Sequence, residues 1–314
     1  MNFQQLRSVR EAQRRSFNLT EVAQALHTSQ PGVSRQIREL EDELGIDLFV
    51  RAGKRLTGLT EPGRQVMPIV ERLLHEAENL RRAGDDFARA GSGALRIAAT
   101  HSQARYALPP VVRDFRAAHP DVILHMQQGS PQQVAKLLLD GEADVGIATE
   151  ALAQFNELVA LPCYRWTHTI VTPPDHPLAH EASEGQVLTL ERLAQFPIIT
   201  YETGYTGRSH IDDAFRAAGL TIDVVLVAMD ADVIKTYVDL GLGVGIVAAI
   251  AYDEDRDRHL AAIDGRHLFA DNMTRLAVRR DAYLRDYVYA FISTFAAPLT
   301  RTAVEEARQG LQAA

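Results

Sequence analysis

Apolar residues recur along the first eighty positions at intervals of three and four, the period of helices with one buried face. Phe3, Leu6 and Val9 mark a first helix within residues 3–17, and Val22, Ala23 and Leu26 mark a second that Thr20 can cap. A turn at His27 and Thr28 leads into Ser29-Gln30-Pro31, a cap followed by proline in a first helical turn. Val33, Ile37, Leu40 and Leu44 then give a third helix its buried stripe. Leu48 to Thr57 alternates apolar and basic residues around Ala52-Gly53, as in a small β-wing. Thr60 with Pro62 opens a long helix striped by Val66, Ile69, Val70, Leu73, Leu74, Ala77 and Leu80. That stripe suits dimerisation, with packing against its own domain as the alternative.

The rhythm changes near Gly91, where Ala90-Gly91-Ser92-Gly93 reads as a domain boundary. Residues 94–99, 122–126 and 143–148 are strand-like, separated by helices around Val111 to Phe115 and from Pro131 to Leu139. The pattern restarts with strands near 168–171, 198–201, 224–228, 245–247 and 274–278, and with helices at 209–218, 231–240 and 283–295. Such alternation predicts two doubly wound, mostly parallel α/β lobes with a cleft between them. The expected divisions are a DNA-binding domain at 1–59, a linker helix at 60–90 and an effector-binding domain at 91–314. Lobe I would take about 91–164 and 269–314, and lobe II about 165–268.

The third helix opens with Ser29, Gln30, Ser34, Arg35 and Arg38, side chains able to reach base edges and phosphates in a major groove. Arg51, Lys54 and Arg55 would set the wing on phosphate. A helical hairpin with a solvated polar face is the alternative. The chain's net charge of −8 is unevenly spread: nine basic against seven acidic residues through Leu59 leave that segment at +2 and the remainder at −10. Composition is ordinary for a globular protein, with 46% hydrophobic and 24% charged residues. The start lacks a signal-peptide core and no apolar run is long enough to span a bilayer, so a cytoplasmic location with no membrane partner is expected. Cys163, the single cysteine, reads as a buried structural thiol.

The run Thr28-Ser29-Gln30-Pro31-Gly32-Val33-Ser34-Arg35-Gln36-Ile37-Arg38-Glu39-Leu40-Glu41, with Leu44-Gly45, Leu48-Phe49 and Leu59-Thr60-Glu61-Pro62-Gly63, resembles the winged helix of LysR-type transcriptional regulators. The resemblance implies DNA contact through Thr28, Ser29, Gln30, Pro31, Ser34, Arg35, Arg38, Arg51 and Lys54. The fold class expected is α/β: a winged helix-turn-helix and linker helix, then a two-lobed, doubly wound effector-binding domain of periplasmic-binding-protein type.

Three hydroxyl-bearing loops fall where such sheets bind ligands: Thr100-His101-Ser102-Gln103, Thr149-Glu150, and Gly204 to Ser209. Helix N-termini beside hydroxyls can hold a sulfate, phosphate or carboxylate, although each loop alone also reads as an ordinary helix cap. This half is similar to the CysB-like branch, regulators of sulfur assimilation, in Thr100 to Pro109, His125 to Pro131, Ala148 to Leu152, Leu161 to Tyr164, Thr206 to Ser209 and Asp230 to Tyr237. That similarity implies an effector pocket of Thr100, Ser102, Gln103, Thr149 and Thr206 for sulfate or an acetylated serine. Glu202 stands nearby, where a carboxylate would repel an anion.

Gly241 to Gly245 reads as a helix-to-strand turn, and His176 as part of a proline-bounded turn. Asp230 reads as a helix cap and Asp232 as solvated. Neither metal-ligand spacing nor a nucleophile with its base is found, so no metal, cofactor or catalytic residue is expected. The reading is a promoter-binding regulator of sulfur metabolism genes, working as a homodimer or homotetramer with RNA polymerase and switched by a small anion. A different organic anion is the alternative effector, and a cytoplasmic solute-binding protein the alternative function.

Overall fold

The computed structural model describes residues 1–53, 55–88 and 92–310, with Thr206 described in its backbone only. Lys54, the predicted boundary at Gly91 and the side chain of Thr206 lie outside the described residues. The chain divides into two compact units, Met1–Phe87 and Ala88–Ala314.

In the first unit, α1 (Phe3–Arg14) begins with a reciprocal cap: Asn2 accepts from the Gln5 backbone, and the Gln5 side chain accepts from Asn2 N–H. Helix α2 (Leu19–Ala25) is capped by Asn18, whose side chain takes the Thr20 N–H; Thr20, expected as the cap, already lies inside the helix. Ser29 caps α3 (Gln30–Leu44) as expected, and Gly45 ends it in the left-handed conformation at φ 70°. Strands β1 (Phe49–Ala52) and β2 (Arg55–Leu59) pair antiparallel as the wing. The long helix α4 (Glu61–Ala88) follows, with Thr60 Oγ1 accepting the Gly63 N–H at 2.9 Å.

Leu6, Val9, Val33, Ile37, Leu40, Leu48 and Phe49 make one core with Met67, Val70 and Leu74 of α4. Each such buried side chain contributes roughly 1.5–3 kcal/mol. Thus α4 packs on its own domain through one strip, whereas Ile69, Leu73, Leu80 and Phe87 remain exposed on it. Gly63 is required where α4 passes the wing, since a Cβ there would stand 2.0 Å from Leu48 O.

The second unit contains two five-stranded sheets. One has the order β4-β3-β5-β12-β6, from β3 (Gly93–Ala99), β4 (Val122–Gln128), β5 (Val145–Ala148), β6 (Leu158–Trp166) and β12 (Asn272–Arg279). The other has the order β11-β7-β10-β8-β9, from β7 (His168–Thr172), β8 (Ile198–Tyr201), β9 (Val224–Ala228), β10 (Val244–Ala248) and β11 (Ala261–Asp264). Helices α5 (Leu108–Ala118), α6 (Pro131–Leu139), α9 (Thr206–Ala217) and α10 (Ala231–Asp239) cover the parallel parts.

The sheets are mixed rather than mostly parallel. The chain crosses between lobes at Trp166 to His168 and again between β11 and β12. Strand β12 therefore enters antiparallel to β5 and β6, and β7 antiparallel to β10 and β11. Helices α7 (Pro177–Ser183), α8 (Leu190–Leu193), α11 (Asp286–Phe295) and α12 (Arg301–Arg308) complete the unit.

Candidate functional sites

The face of α3 is built by its stripe: burying Val33, Ile37 and Leu40 turns the intervening polar residues outward. Thr28, Ser29, Gln30, Pro31, Arg35 and Arg38 are exposed, and Ser34 is half-buried. The Arg35 guanidinium leans along the helix, donating to Glu39 Oε1 at 2.7 Å. Its exposed pairing is weak enough to exchange for a phosphate.

Arg51 has a different setting. Its guanidinium donates to the buried Glu41 carboxylate at 2.5 Å and lies 3.5 Å from Asp47. Glu41 also accepts the Leu48 and Phe49 N–H groups at 2.8 and 3.2 Å, so one carboxylate ties α3 to the wing. The sequence reading assigned Glu41 no role; its single signal was a carboxylate falling on the buried side of α3.

In the second unit, Thr100 ends β3 and is buried, Thr149 ends β5 and is buried, and Ser102 is half-buried. Residues Gln103–Ala107 form a π-helical turn ahead of α5, an insertion that re-aims successive side chains. Gln103 is buried and committed within its lobe: its amide donates to Thr274 Oγ1 at 3.1 Å, and its carbonyl accepts the Tyr164 hydroxyl at 2.5 Å. Ser102 is a hydrogen-bond partner of Tyr201 across the lobes, and the Tyr201 oxygen also accepts the Ala248 N–H at 3.0 Å. Burial pushes the Tyr201 phenol up to about 12.

Thr100, Ser102, Gln103 and Thr149 face Tyr201, Tyr205, Gly207, Met229 and Ile250 of the other lobe around a cavity of about 30 Å³, with Trp166 at the crossing. That space is on the scale of one or two water-sized groups. Among the described residues no lysine or arginine lines it. Positive potential comes instead from α9, whose cap residue Tyr205 makes no side-chain capping bond to the first turn. Glu202 is outside the lining; it is exposed and accepts from Thr203 N at 3.1 Å. Of the aromatic and apolar half of the lining the sequence analysis named only Tyr205, within its third loop; Tyr201, Met229, Ile250 and Trp166, the last residue of β6, were missed.

Below the cavity, Gly207 packs on His168 and Trp166; a Cβ at 207 would lie 3.0 Å from His168 Nε2. Burial, with a smaller push from His210, lowers the His168 pKa to about 3, so the imidazole is neutral. The other flagged groups have structural roles. His176 caps α7 by accepting the Leu178 N–H at 3.2 Å, and Cys163 is half-buried with its thiol pushed up to about 11 by burial. Asp230 caps α10 through the Val233 N–H at 2.8 Å. Asp232 is not simply solvated: it accepts the Tyr106 hydroxyl of the facing lobe at 2.6 Å. Among the described residues no three His, Cys, Asp or Glu side chains group to hold a metal, and no helix is long and apolar enough to cross a membrane.

Comparison with known proteins is consistent across both units. The model of the bacterial regulatory helix-turn-helix protein, lysR family, matches residues 3–64, and that of the LysR substrate binding domain matches residues 88–298. The chain is 57% identical over 304 residues to the HTH-type transcriptional regulator SsuR of Burkholderia cenocepacia, covering 97% of each chain. It is 53% identical over 310 residues to the regulator CysB of the same organism, covering 99% of this chain and 98% of that one. Against the regulator cbl of Escherichia coli the identity is 54% over 292 residues, covering 93% and 91%.

Among solved structures, the cofactor-binding domain of the Cbl transcriptional regulator superposes with a TM-score of 0.65 at 47% identity, over 71% of this chain and 95% of that one. Full-length CbnR complexed with its target DNA shares the fold at a TM-score of 0.58 and 20% identity, over 96% and 100%.

Proposed function

Since the chain belongs to the LysR family of bacterial transcriptional regulators, we propose that it governs sulfur metabolism genes in answer to a small anion held between the lobes of its second unit. Sulfate, an acetylated serine or a related sulfur metabolite is the effector. The observation that carries this reading is the pocket's composition. Hydroxyls of Thr100, Ser102 and Thr149 converge with the start of α9 at Thr206 and Gly207, and no lysine or arginine is among the described lining residues. Such a site favours a compact anion that accepts several hydrogen bonds. Gln103 contributes by its position on the pocket wall, its amide being engaged by Thr274 and Tyr164.

Promoter DNA meets Thr28, Ser29, Gln30, Pro31, Ser34, Arg35 and Arg38 of the α3 face, with Lys54 at the wing. Arg51 enters chiefly as the brace that, through Glu41, sets the wing's height. The exposed strip Ile69, Leu73, Leu80 and Phe87 of α4 supports pairing of two chains, which would present two α3 helices to successive half-sites. Assembly into tetramers, recruitment of RNA polymerase and a cytoplasmic setting belong to the same reading. A solute-binding function alone would leave the α3 face without purpose.

The test is a thermal-shift panel of sulfate, thiosulfate, acetylserines and sulfonates on the full chain. A true effector raises the melting point, because it binds the folded form alone. Thr100→Val removes that rise while the variant melts as before. A panel without any shift, or an equal shift in Thr100→Val, refutes the assignment.

A further inference from the structure

We propose that Asp232 is a latch that holds the two lobes closed over the pocket, and so sets effector affinity without touching the effector; this rests on the effector reading above. Asp232 sits on α10 of lobe II, in the first turn after the Asp230 cap. Within its own lobe it lies 3.2 Å from Lys235 Nζ. That ammonium is buried and fixed: it donates to Asp257 at 2.8 and 3.0 Å and to Ala251 O at 2.8 Å. Asp257 is itself buried and accepts the Asp253 N–H at 3.0 Å. Lysine and aspartate together form a rigid base under α10.

From lobe I, two neighbouring side chains reach the same carboxylate. Tyr106 donates its hydroxyl to Asp232 Oδ1 at 2.6 Å, and Arg105 Nε donates to Oδ2 at 3.1 Å. The Tyr106 ring also lies 5.4 Å from Lys235 Nζ, so the phenol fills the space between the lobes. His101 Nε2 stands 3.9 Å from both Asp230 and Asp232. Burial works against the Asp232 charge, but the bonds from Tyr106, Lys235 and Arg105 outweigh it and hold its pKa below the ordinary value.

Coupling to the pocket follows from the π-helical turn. Ser102 and Gln103 line the cavity, while Arg105 and Tyr106, two to four residues later on the same turn, bear on lobe II. The second pocket loop repeats the arrangement: Thr149 lines the cavity, and the next residue, Glu150, lies 3.6 Å from His210 of lobe II. Any movement that opens the lobes must therefore break bonds formed by the segments that carry the ligand's hydroxyls. Asp232, Tyr106 and Lys235 are positioning residues for effector binding.

The experiment compares full-length wild type with Tyr106→Phe, Asp232→Asn and, as a control at a remote exposed ion pair, Arg113→Ala. Amide hydrogen exchange is measured without ligand, and inorganic sulfate is titrated calorimetrically. The latch predicts exchange about tenfold faster in residues 100–108 and 229–236 of both latch variants, with the first unit unchanged. It also predicts sulfate affinity about tenfold weaker, with the melting point near that of wild type. Arg113→Ala matches wild type in both.

Exchange in those two segments staying at the wild-type rate in a folded Tyr106→Phe protein overturns the latch, as does uniformly faster exchange throughout the chain. Where Asp232→Asn fails to fold, Tyr106→Phe and Arg105→Gln carry the same comparison. Faster local exchange in a chain whose wild type binds no sulfate upholds the latch and overturns sulfate as the effector.

Discussion

The residues assigned to DNA and those assigned to the effector are presented in opposite ways. On α3 most candidate side chains are exposed: Ser34 is half-buried and Ser29 caps the helix, but Gln30 and Arg38 stand open and Arg35 gives up one exposed pairing with Glu39. In the effector unit Thr100, Thr149 and Gln103 are buried, and Gln103 and Ser102 already serve the protein's own hydrogen bonds. A surface that reads a long polyanion can be rigid and open, whereas a pocket for one small ion must exclude water and close. The first depends on the framework beneath it. The second depends on the equilibrium between its lobes.

The largest expected effect breaks the framework half of this contrast. Gly63→Ala, with its Cβ 2.0 Å from Leu48 O, should cost on the order of 3 kcal/mol and remove promoter binding, although residue 63 faces no DNA. Chemical denaturation followed by wing-specific and lobe-specific probes checks it: the first unit alone should lose stability. Loss shared equally by both units would contradict it.

Comparable in size at the acid end of its range is a pH effect confined to the effector unit. His168 titrates at about 3 when folded, below its ordinary 6.5, so the unfolded chain takes up the proton first as pH falls. The contribution is fully present above pH 6.5 and is lost at about 1.4 kcal/mol per pH unit on descending from 6.5 toward 3. His168→Phe, which keeps the edge-on packing against Trp166 and Phe269, should flatten that acid limb in melting curves recorded from pH 7 to pH 4. An unchanged acid limb would contradict the assignment.

Arg35→Ala should weaken promoter binding about tenfold and lower the salt slope by about one counterion while leaving stability unchanged. An unaltered slope in anisotropy titrations would mean that Arg35 does not meet phosphate. The smallest effect is expected at Glu202: turned outward onto Thr203, its replacement by glutamine should change sulfate affinity by less than about threefold. A tenfold gain would place its carboxylate in the ligand's field after all.

How much of this was legible in the sequence follows from the range of the interactions. The reading unit announces itself locally: the Ser29 cap, Pro31 and the Val33-Ile37-Leu40 stripe lie within a dozen residues and fix α3 nearly alone. Two slips fall there. Asn18 rather than Thr20 caps α2, both being short side chains whose oxygen can accept a backbone N–H. Leu44, read into the buried stripe of α3, is 41% exposed because it lies in the last turn, past the end of the core that Val33, Ile37 and Leu40 enter. Strand β6 went unread because Pro162 interrupts it. As the edge of its sheet, β6 can spare that donor, but edge position is a property of topology and not of the local pattern.

The hydroxyl half of the pocket was visible because each loop follows a strand. Tyr201, Met229 and Ile250 were not, since ordinary apolar patterning does not say which lobe faces which; Tyr205 was named only as part of the third loop. Asp232 read as solvated because its partner Tyr106 is 126 residues away.

The most direct test of the central claim, that an anion held in one unit is read out by another, is promoter binding by the full chain at roughly 0.15 M salt, with and without each candidate effector. The account predicts a preference of about a thousandfold or more for a cognate promoter over random duplex, and a change in affinity or footprint with at least one small anion that Thr100→Val abolishes. Equal affinity for cognate and random duplex, or a footprint indifferent to every anion, would contradict it.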